Sequence, residues 1–323
     1  MYLTFFGLKE KPFNATPDPR FLYMSPGHRE ALSQLLYGTQ ERKGFIVLTG
    51  KVGTGKTTLL HALCQRLNGE CAISFVVNSG LPFDELLEYV LADFGVTKAG
   101  DSRAQRLMAL NNFLIERERA GQNTILIIDE AQNLDVATLE QVRLLSNFET
   151  PTNKLLQILL VGQPELKTHL NVPELHQLKQ RLGLRCQIQP LTVDATRSYI
   201  RTRLRIAGAS DLGLFSDRAI DRISAYSGGI PRLINTVCDH CLIFGYAEQQ
   251  RRIDRSIVNK AIKYLEEGTR PATNEKRSSR ARLFARWSLG TVVSGVVGAV
   301  AFLALKSQTT TQVIQSLRQL VTP

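Results

Sequence analysis

The sequence predicts an α/β protein. A doubly wound parallel sheet around a phosphate-binding loop is followed by an all-helical segment and one membrane-crossing helix. Three observations predict it. The run Gly50-Lys51-Val52-Gly53-Thr54-Gly55-Lys56-Thr57 fits the P-loop pattern G-x-x-x-x-G-K-[ST] without substitution, between a strand-like Gly44–Thr49 and a helix-like Thr58–Cys64. Short apolar runs then alternate with helical patterns as far as residue 161. Finally, positions 287–305 are 19 consecutive uncharged residues.

In chain order, residues 1–44 open with Phe5-Phe6-Gly7-Leu8, Lys11-Pro12-Phe13 and Thr16-Pro17-Asp18-Pro19, whose prolines break regular structure. A helix over 28–37 leads into the first strand. Cys71–Val77, with its β-branched residues, reads as the second strand. Helices follow at Asp84–Phe94 and Ala104–Ala120. Thr124–Ile128 is wholly apolar but for its first residue, as suits a strand buried on both faces. A helix over Val136–Asn147 and a strand over Leu155–Val161 complete the alternation, and a helix end is expected at Leu178–Leu182. In such a sheet the ligand lies at the C-terminal ends of the strands. After Pro190, Asp194–Ala207, Ser216–Ser227, Ile230–Tyr246 and Asp254–Glu267 all carry helical spacing. The expected division is a core over 1–189, a helical lid over 190–267, a basic linker over 268–286, a membrane helix over 287–305 and a short periplasmic tail over 306–323.

The apolar run would reach about 28 Å as a helix, close to a bilayer core. Trp287 stands at one end, where an interfacial aromatic belongs, and Ser294 and Gly298 form a small-xxx-small pair. Of the formal net charge of +11, residues 270–286 carry +5 and 287–323 carry +2, leaving +4 on residues 1–269. The basic run before the span keeps the body in the cytoplasm by the positive-inside rule. A body so near charge balance argues against a nucleic-acid partner. Five cysteines, at 64, 71, 186, 238 and 241, follow an N-terminus without the basic and apolar regions of a secretory signal, so free thiols in a reducing compartment are expected. Cys238-Asp239-His240-Cys241 lacks two further ligands for a zinc site and reads as small apolar positions on a helix.

The chemistry expected of these residues is that of a nucleoside triphosphate. Gly50, Lys51, Val52, Gly53, Thr54, Gly55, Lys56, Thr57 and Thr58 form the phosphate cradle, where backbone N–H groups and a helix N-terminus meet negative charge. Lys56 reaches the β- and γ-phosphates, and the Thr57 hydroxyl holds Mg²⁺. Ile125-Leu126-Ile127-Ile128-Asp129-Glu130 is four apolar residues ending in two acids. Asp129 positions Mg²⁺ through water, and Glu130 polarises the attacking water. Gln163, just past the strand that ends near 161, is placed to orient that water. Arg181, with Arg185 as a rival, is a candidate for stabilising transition-state charge in a neighbouring copy. Arg232, opening a helix in Gly228-Gly229-Ile230-Pro231-Arg232, is placed to report the γ-phosphate to the helical segment.

With these motifs the chain resembles an AAA+ ATPase with a helical lid. The N-terminal run from Phe6 to Tyr23, F-G-L-K-E-K-P-F-N-A-T-P-D-P-R-F-L-Y, resembles more specifically the ExeA/general secretion pathway protein A group, with its relatives in pilus biogenesis and exopolysaccharide–exosortase systems. The resemblance covers residues 1–267. It implies ATP and Mg²⁺ as cofactors, sensor 1 at Gln163, an arginine finger at Arg181 and sensor 2 at Arg232. It also implies Asn78 as the switch that restrains Glu130, and Phe13 and Pro17 as candidates beside the adenine. The expected protein is a single-pass ATPase of the bacterial inner membrane, self-associating with ATP and acting on an inner-membrane assembly or secretion partner. Full-length secretion proteins of this type carry a periplasmic peptidoglycan-binding domain after the span, whereas here 18 residues follow it. A DNA-bound regulator of the transposition-ATPase type and a nucleotide-gated scaffold are the alternatives.

Overall fold

In the computed structural model, residues 1–14, 18–77, 80–97 and 99–269 are described. The span at 287–305, the tail at 306–323, the linker beyond 269, Pro17 and Asn78 lie outside them. Among the described residues no helix is long and apolar enough to cross a membrane.

The chain begins with a single helical turn, α1 (Tyr2–Phe5), and an irregular stretch, then enters α2 (Pro26–Gln40). Ser25 caps α2 by accepting the His28 N–H, and Pro26 fits the first position because its missing N–H would have had no partner there. The alternation follows as β1 (Phe45–Gly50), α3 (Lys56–Leu67), β2 (Cys71–Val76), α4 (Phe83–Asp93), α5 (Arg103–Arg119), β3 (Asn123–Ile128), α6 (Val136–Leu145) and β4 (Gln157–Gly162). Two short helices, α7 (Glu165–His169) and α8 (His176–Gln180), precede β5 (Leu182–Ile188). Four helices close the described chain: α9 (Val193–Ile206), α10 (Asp217–Ser227), α11 (Pro231–Ala247) and α12 (Arg255–Thr269). Between α9 and α12 the strand-like pairing among the described residues is one bridge, Phe215 with Ile253.

The five strands are parallel, in the order β2-β3-β4-β1-β5. Side chains alternate across the sheet. Phe45 and Val47 of β1, with Leu126 and Ile128 of β3, join the cluster of α4, α5 and α6. Ile46 and Leu48, with Ile125 and Ile127, join the cluster of α2 and α3. Both faces are therefore covered, which explains why these strands read as continuous apolar runs. The buried Gln157 breaks that run without penalty: its Oε1 accepts the Gly44 N–H at 2.7 Å and its Nε2 donates to the Lys154 carbonyl at 3.3 Å.

Strand β5 departs from the sequence reading, which placed a helix end at Leu178–Leu182 and named no strand between it and Pro190. Helix α8 stops at Gln180, and Leu182 already pairs with Phe45 of β1. The register slips between Phe45 and Ile46, so that Gly183 is an extra residue on β5. A Cβ there would stand 2.5 Å from the Lys43 carbonyl oxygen, which explains the glycine.

Residues Met1–Tyr264 form one compact unit. Within it, the N-terminal stretch packs on helices that come 200 residues later. Tyr2 donates to Asp239 at 2.6 Å, Lys9 N–H to the Ala207 carbonyl at 2.8 Å, and Arg203 Nε to the Pro12 carbonyl at 2.6 Å. Phe13 meets Phe215 edge-on, Tyr23 meets Tyr199, and the Arg203 guanidinium lies over Phe21.

Candidate active site

Because the strands run the same way, the ends of β1, β3 and β4 arrive at one edge of the sheet. Thr49 pairs with Gly162, and Ile128 with Leu160. The loop after β1 therefore lies next to Gln163 at the end of β4, with Asp129 and Glu130 at the end of β3 one strand further along the same side.

The loop itself is shaped by its glycines. Gly53 and Gly55 have φ of 75° and 98°, a region open to glycine at little cost. Gly50 has a different reason: a Cβ there would stand 2.8 Å from Thr54 Oγ1 and 3.2 Å from the Ile188 carbonyl oxygen. Thr54 closes the loop, its hydroxyl donating to the Lys51 carbonyl at 2.8 Å. Helix α3 then starts at Lys56, so Lys56, Thr57 and Thr58 present N–H groups without intrahelical partners. The Lys56 side chain is 6% exposed and folds back, with Nζ donating to the Gly50 carbonyl at 3.0 Å and the Lys51 carbonyl at 3.5 Å.

Thr57 Oγ1 donates to Asp129 Oδ2 at 3.0 Å across 72 residues. Hard oxygens at that spacing suit neighbouring positions around Mg²⁺, which binds oxygen at about 2.0–2.1 Å in near-octahedral geometry. Among the described residues no group of three or more His, Cys, Asp or Glu is placed to hold a metal. Asp129 is itself fixed, its Oδ1 accepting the Glu130 N–H at 2.9 Å.

Glu130 has φ of 50°, an uncommon left-handed conformation for a residue with a side chain, immediately after Asp129. Its Oε2 accepts from Gln132 Nε2 at 2.6 Å and from Gln163 Nε2 at 3.2 Å. Partial burial pushes the Glu130 carboxyl up, but those two donors and the Lys56 charge outweigh it and hold it below its usual range. Gln132 also accepts the Gln163 N–H through Oε1 at 3.0 Å. The three residues thus form a closed triangle, one edge of it through the Gln163 backbone N–H, and Gly162 leaves room for it, since a Cβ there would lie 2.6 Å from Gln132 Oε1.

The helical segment reaches the loop directly. Arg232 N–H donates to the Gly53 carbonyl at 3.3 Å, and a Cβ on Gly53 would stand 2.7 Å from Arg232 Cβ. The turn that delivers Arg232 is pinned to the segment's start: Leu191 N–H donates to the Gly229 carbonyl at 2.8 Å. Gly229 has φ of 74°, and a Cβ on it would fall 2.0 Å from the Leu191 carbonyl oxygen. Gly229→Ala is therefore expected to lower stability by about 2–4 kcal/mol, with thermal unfolding as the measurement; an unchanged melting temperature would refute this reading of the turn.

Arg181 is not brought to its own loop. It precedes Leu182, which pairs with Phe45 at the start of β1, five positions before Gly50. At about 3.3 Å per residue that is roughly 17 Å along the strand. Its Nη1 donates to Ser146 Oγ at 2.8 Å and Asn147 Oδ1 at 2.5 Å. Arg185, opposite Val47 on the edge strand, is exposed. Phe13 is buried against Phe215 and serves the packing of the N-terminal stretch. His28, from α2, reaches the loop from the other side, its Nε2 lying 2.9 Å from the Thr54 carbonyl oxygen.

A family model described as an AAA domain matches residues 39–170, from the end of α2 through β1, β3 and β4 to α7. General secretion pathway protein A of Aeromonas hydrophila is 42% identical over 254 residues, which cover 78% of this chain. The chain carries an AAA domain and is related to general secretion pathway protein A. It spans about half, 46%, of the length of that curated relative. Among solved structures, Cdc6p of Pyrobaculum aerophilum superposes with a TM-score of 0.58 at 20% identity, over 77% of this chain and 71% of that one. The Aeropyrum pernix ORC2 protein, in its ADPNP–ADP complexes, superposes with a TM-score of 0.57 at 16% identity, over 79% and 71%. At such identities the likeness is one of fold.

Two residues of the site were given no role from the sequence: Gln132, which stands in the Asp129-Glu130-Ala131-Gln132 motif, and His28. Gln132 stands two residues past Glu130, where a polar side chain between buried Ala131 and Leu134 is the signal that points inward. His28 carries no comparable signal, for its partner Thr54 lies 26 residues away. Cys238 and Cys241 are buried in α11, and burial pushes both thiols up, so they stay protonated.

Proposed function

We propose that this AAA protein is an ATP hydrolase, with its site completed between copies and its body anchored at the bacterial inner membrane. The observation that carries the reading is the Glu130–Gln132–Gln163 triangle beside the Thr57–Asp129 pair at the mouth of the P-loop. Lys56, released from the Gly50 and Lys51 carbonyls, would meet the β- and γ-phosphates. Thr57 and Asp129 would hold Mg²⁺, which when bound screens the charge of the phosphates. Glu130, kept ionised, would accept a hydrogen bond from a water aligned with the γ-phosphate, and Gln163 and Gln132 would hold that carboxylate in place. Arg232, seated on Gly53, would make the segment 190–267 a lid that senses the nucleotide.

Arg181 lies roughly 17 Å from its own loop. That separation supports a role toward the nucleotide of a second copy, and with it an ATP-dependent oligomer. The identity to general secretion pathway protein A, together with the apolar run at 287–305, supports work on an envelope secretion, pilus or exopolysaccharide system through an inner-membrane partner.

Subunit mixing tests the reading. Arg181→Ala and Glu130→Gln full-length proteins should each turn over ATP at least ~100-fold more slowly than the unaltered chain. Mixed, they should regain activity, because one subunit supplies Glu130 and its neighbour Arg181. Additive, undiminished inactivity of the mixture would remove the shared site.

A further inference from the structure

Two buried polar side chains beside the phosphate loop take no part in the chemistry above, Ser25 and His28, 5% and 6% exposed. Their hydrogen bonds fix the state of the ring. The Thr54 carbonyl oxygen can only accept, so His28 Nε2, 2.9 Å away, carries the proton. In the neutral ring Nδ1 is then the acceptor, and Ser25 Oγ, 2.6 Å from it, is the donor. The same Oγ accepts the His28 backbone N–H at 3.2 Å. Burial pushes the ring's pKa down, in keeping with a neutral imidazole.

The carbonyl that His28 holds belongs to the peptide between Thr54 and Gly55. In a trans peptide the C=O and the N–H point in opposite directions. A ring that draws the Thr54 carbonyl outward therefore turns the Gly55 N–H away from α2. That N–H finds no acceptor among the described residues. It opens onto the N-terminus of α3, where Lys56, Thr57 and Thr58 present theirs. Gly55, at φ 98°, gives the peptide little intrinsic reason to keep one orientation, since a glycine flips at small cost. The ring also fills the space that a side chain would take: a Cβ on Gly55 would lie 3.1 Å from Nε2.

We propose that His28 is a positioning residue of the nucleotide site. Through the Thr54 carbonyl it holds the Gly55 N–H toward the phosphates of a bound nucleotide. The ring's own footing is firm, because α2 follows the N-terminal stretch that packs on α9 through Tyr23 and Phe21. The loop is thus held from two sides, by Arg232 on Gly53 and by His28 on Thr54. The inference rests on the reading of this loop as a nucleotide site.

Calorimetric titration of the full chain with Mg·ATP and Mg·ADP tests it. His28→Leu, which keeps bulk but has no donor, should weaken both ligands by ~10-fold or more, the effect of a lost hydrogen bond to a charged group. His28→Gln, whose amide can donate to the Thr54 carbonyl, should recover most of the loss. In steady state the KM for ATP should rise in His28→Leu more than kcat falls. Binding by His28→Leu equal to that of the unaltered chain overturns the proposal, and so does equal weakening by leucine and glutamine. If His28→Leu does not fold, His28→Asn, polar but too short to reach Thr54, takes its place with the same expected loss. Failure of the unaltered chain to bind either nucleotide overturns the nucleotide reading itself, and this inference with it.

Discussion

Glu130→Gln should leave ATP bound and unhydrolysed. The substitution keeps the length and shape of the side chain and removes its charge. Two donors, Gln132 Nε2 and Gln163 Nε2, converge on one carboxylate oxygen. A glutamine amide can turn only its oxygen toward them, and its NH₂ then cannot accept from water. The group that polarises the nucleophile is lost while the phosphate cradle, Lys56 and the Thr57–Asp129 pair stay in place. Turnover should fall by ~10²–10⁴, the range associated with a positioned acid or base. Affinity for Mg·ATP should change little or rise, because removing a negative charge near Lys56 also removes a negative charge near the γ-phosphate. Phosphate release and nucleotide titration on the same preparation read the two quantities. Turnover within tenfold of the unaltered protein would show that another group does this work.

Lys56→Ala should act on the other quantity. The buried ammonium rests on the Gly50 and Lys51 carbonyls, both of them part of the loop it serves. Exchange of those neutral acceptors for phosphate oxygens gives charge-assisted bonds in a site with little water, where they are strongest. Without the lysine, affinity for Mg·ATP should drop by at least ~100-fold. Thermal stability of the nucleotide-free protein should fall far less. The substitution removes a poorly solvated charge as well as two hydrogen bonds, and the two effects oppose each other. Equal affinity in titration would mean that the loop's backbone alone carries binding; a collapse of the fold would mean that Lys56 is first a structural group.

The two predictions rest on residues that the sequence made legible, and the reason is local. The loop motif fixes Lys56 and Thr57 by spacing alone, and four apolar residues before two acids mark a strand end that must lie in the same sheet. Strands β1 to β4 and the helices around them lie within a few residues of where periodicity places them, since each buries two faces and shows it in composition. Strand β5 was hidden by its position at the edge. Leu182, Leu184, Cys186 and Ile188 point inward while Gly183, Arg185 and Gln187 are exposed, so a period of two is present but interrupted by a glycine and a cation. The helix end expected at Leu178–Leu182 overran by the two residues at which α8 gives way to the strand. His28 was silent because its partner Thr54, 26 residues on, is set by tertiary closure, which spacing along one helix does not encode. Arg181 was legible as a cation near a helix end, but its distance from its own loop follows only from the pairing of Leu182 with Phe45.

The N-terminal stretch carries a consequence for how this molecule acquires its shape. Tyr2 meets Asp239 across 237 positions, and Pro12 meets Arg203 across 191. Residues 2–21 are therefore synthesised long before the helices that cover them, and their aromatic side chains stay exposed until α9 to α11 have emerged. Contacts of such long range form late and slowly, after the entropy of closing a long loop has been met. The sheet core, with most of its pairings complete once β4 and β5 have emerged, can assemble first. Ser25 and His28 stand at the junction between the early part and the late one. During synthesis the phosphate loop would then reach its final form only when the two ends of this compact unit have found each other.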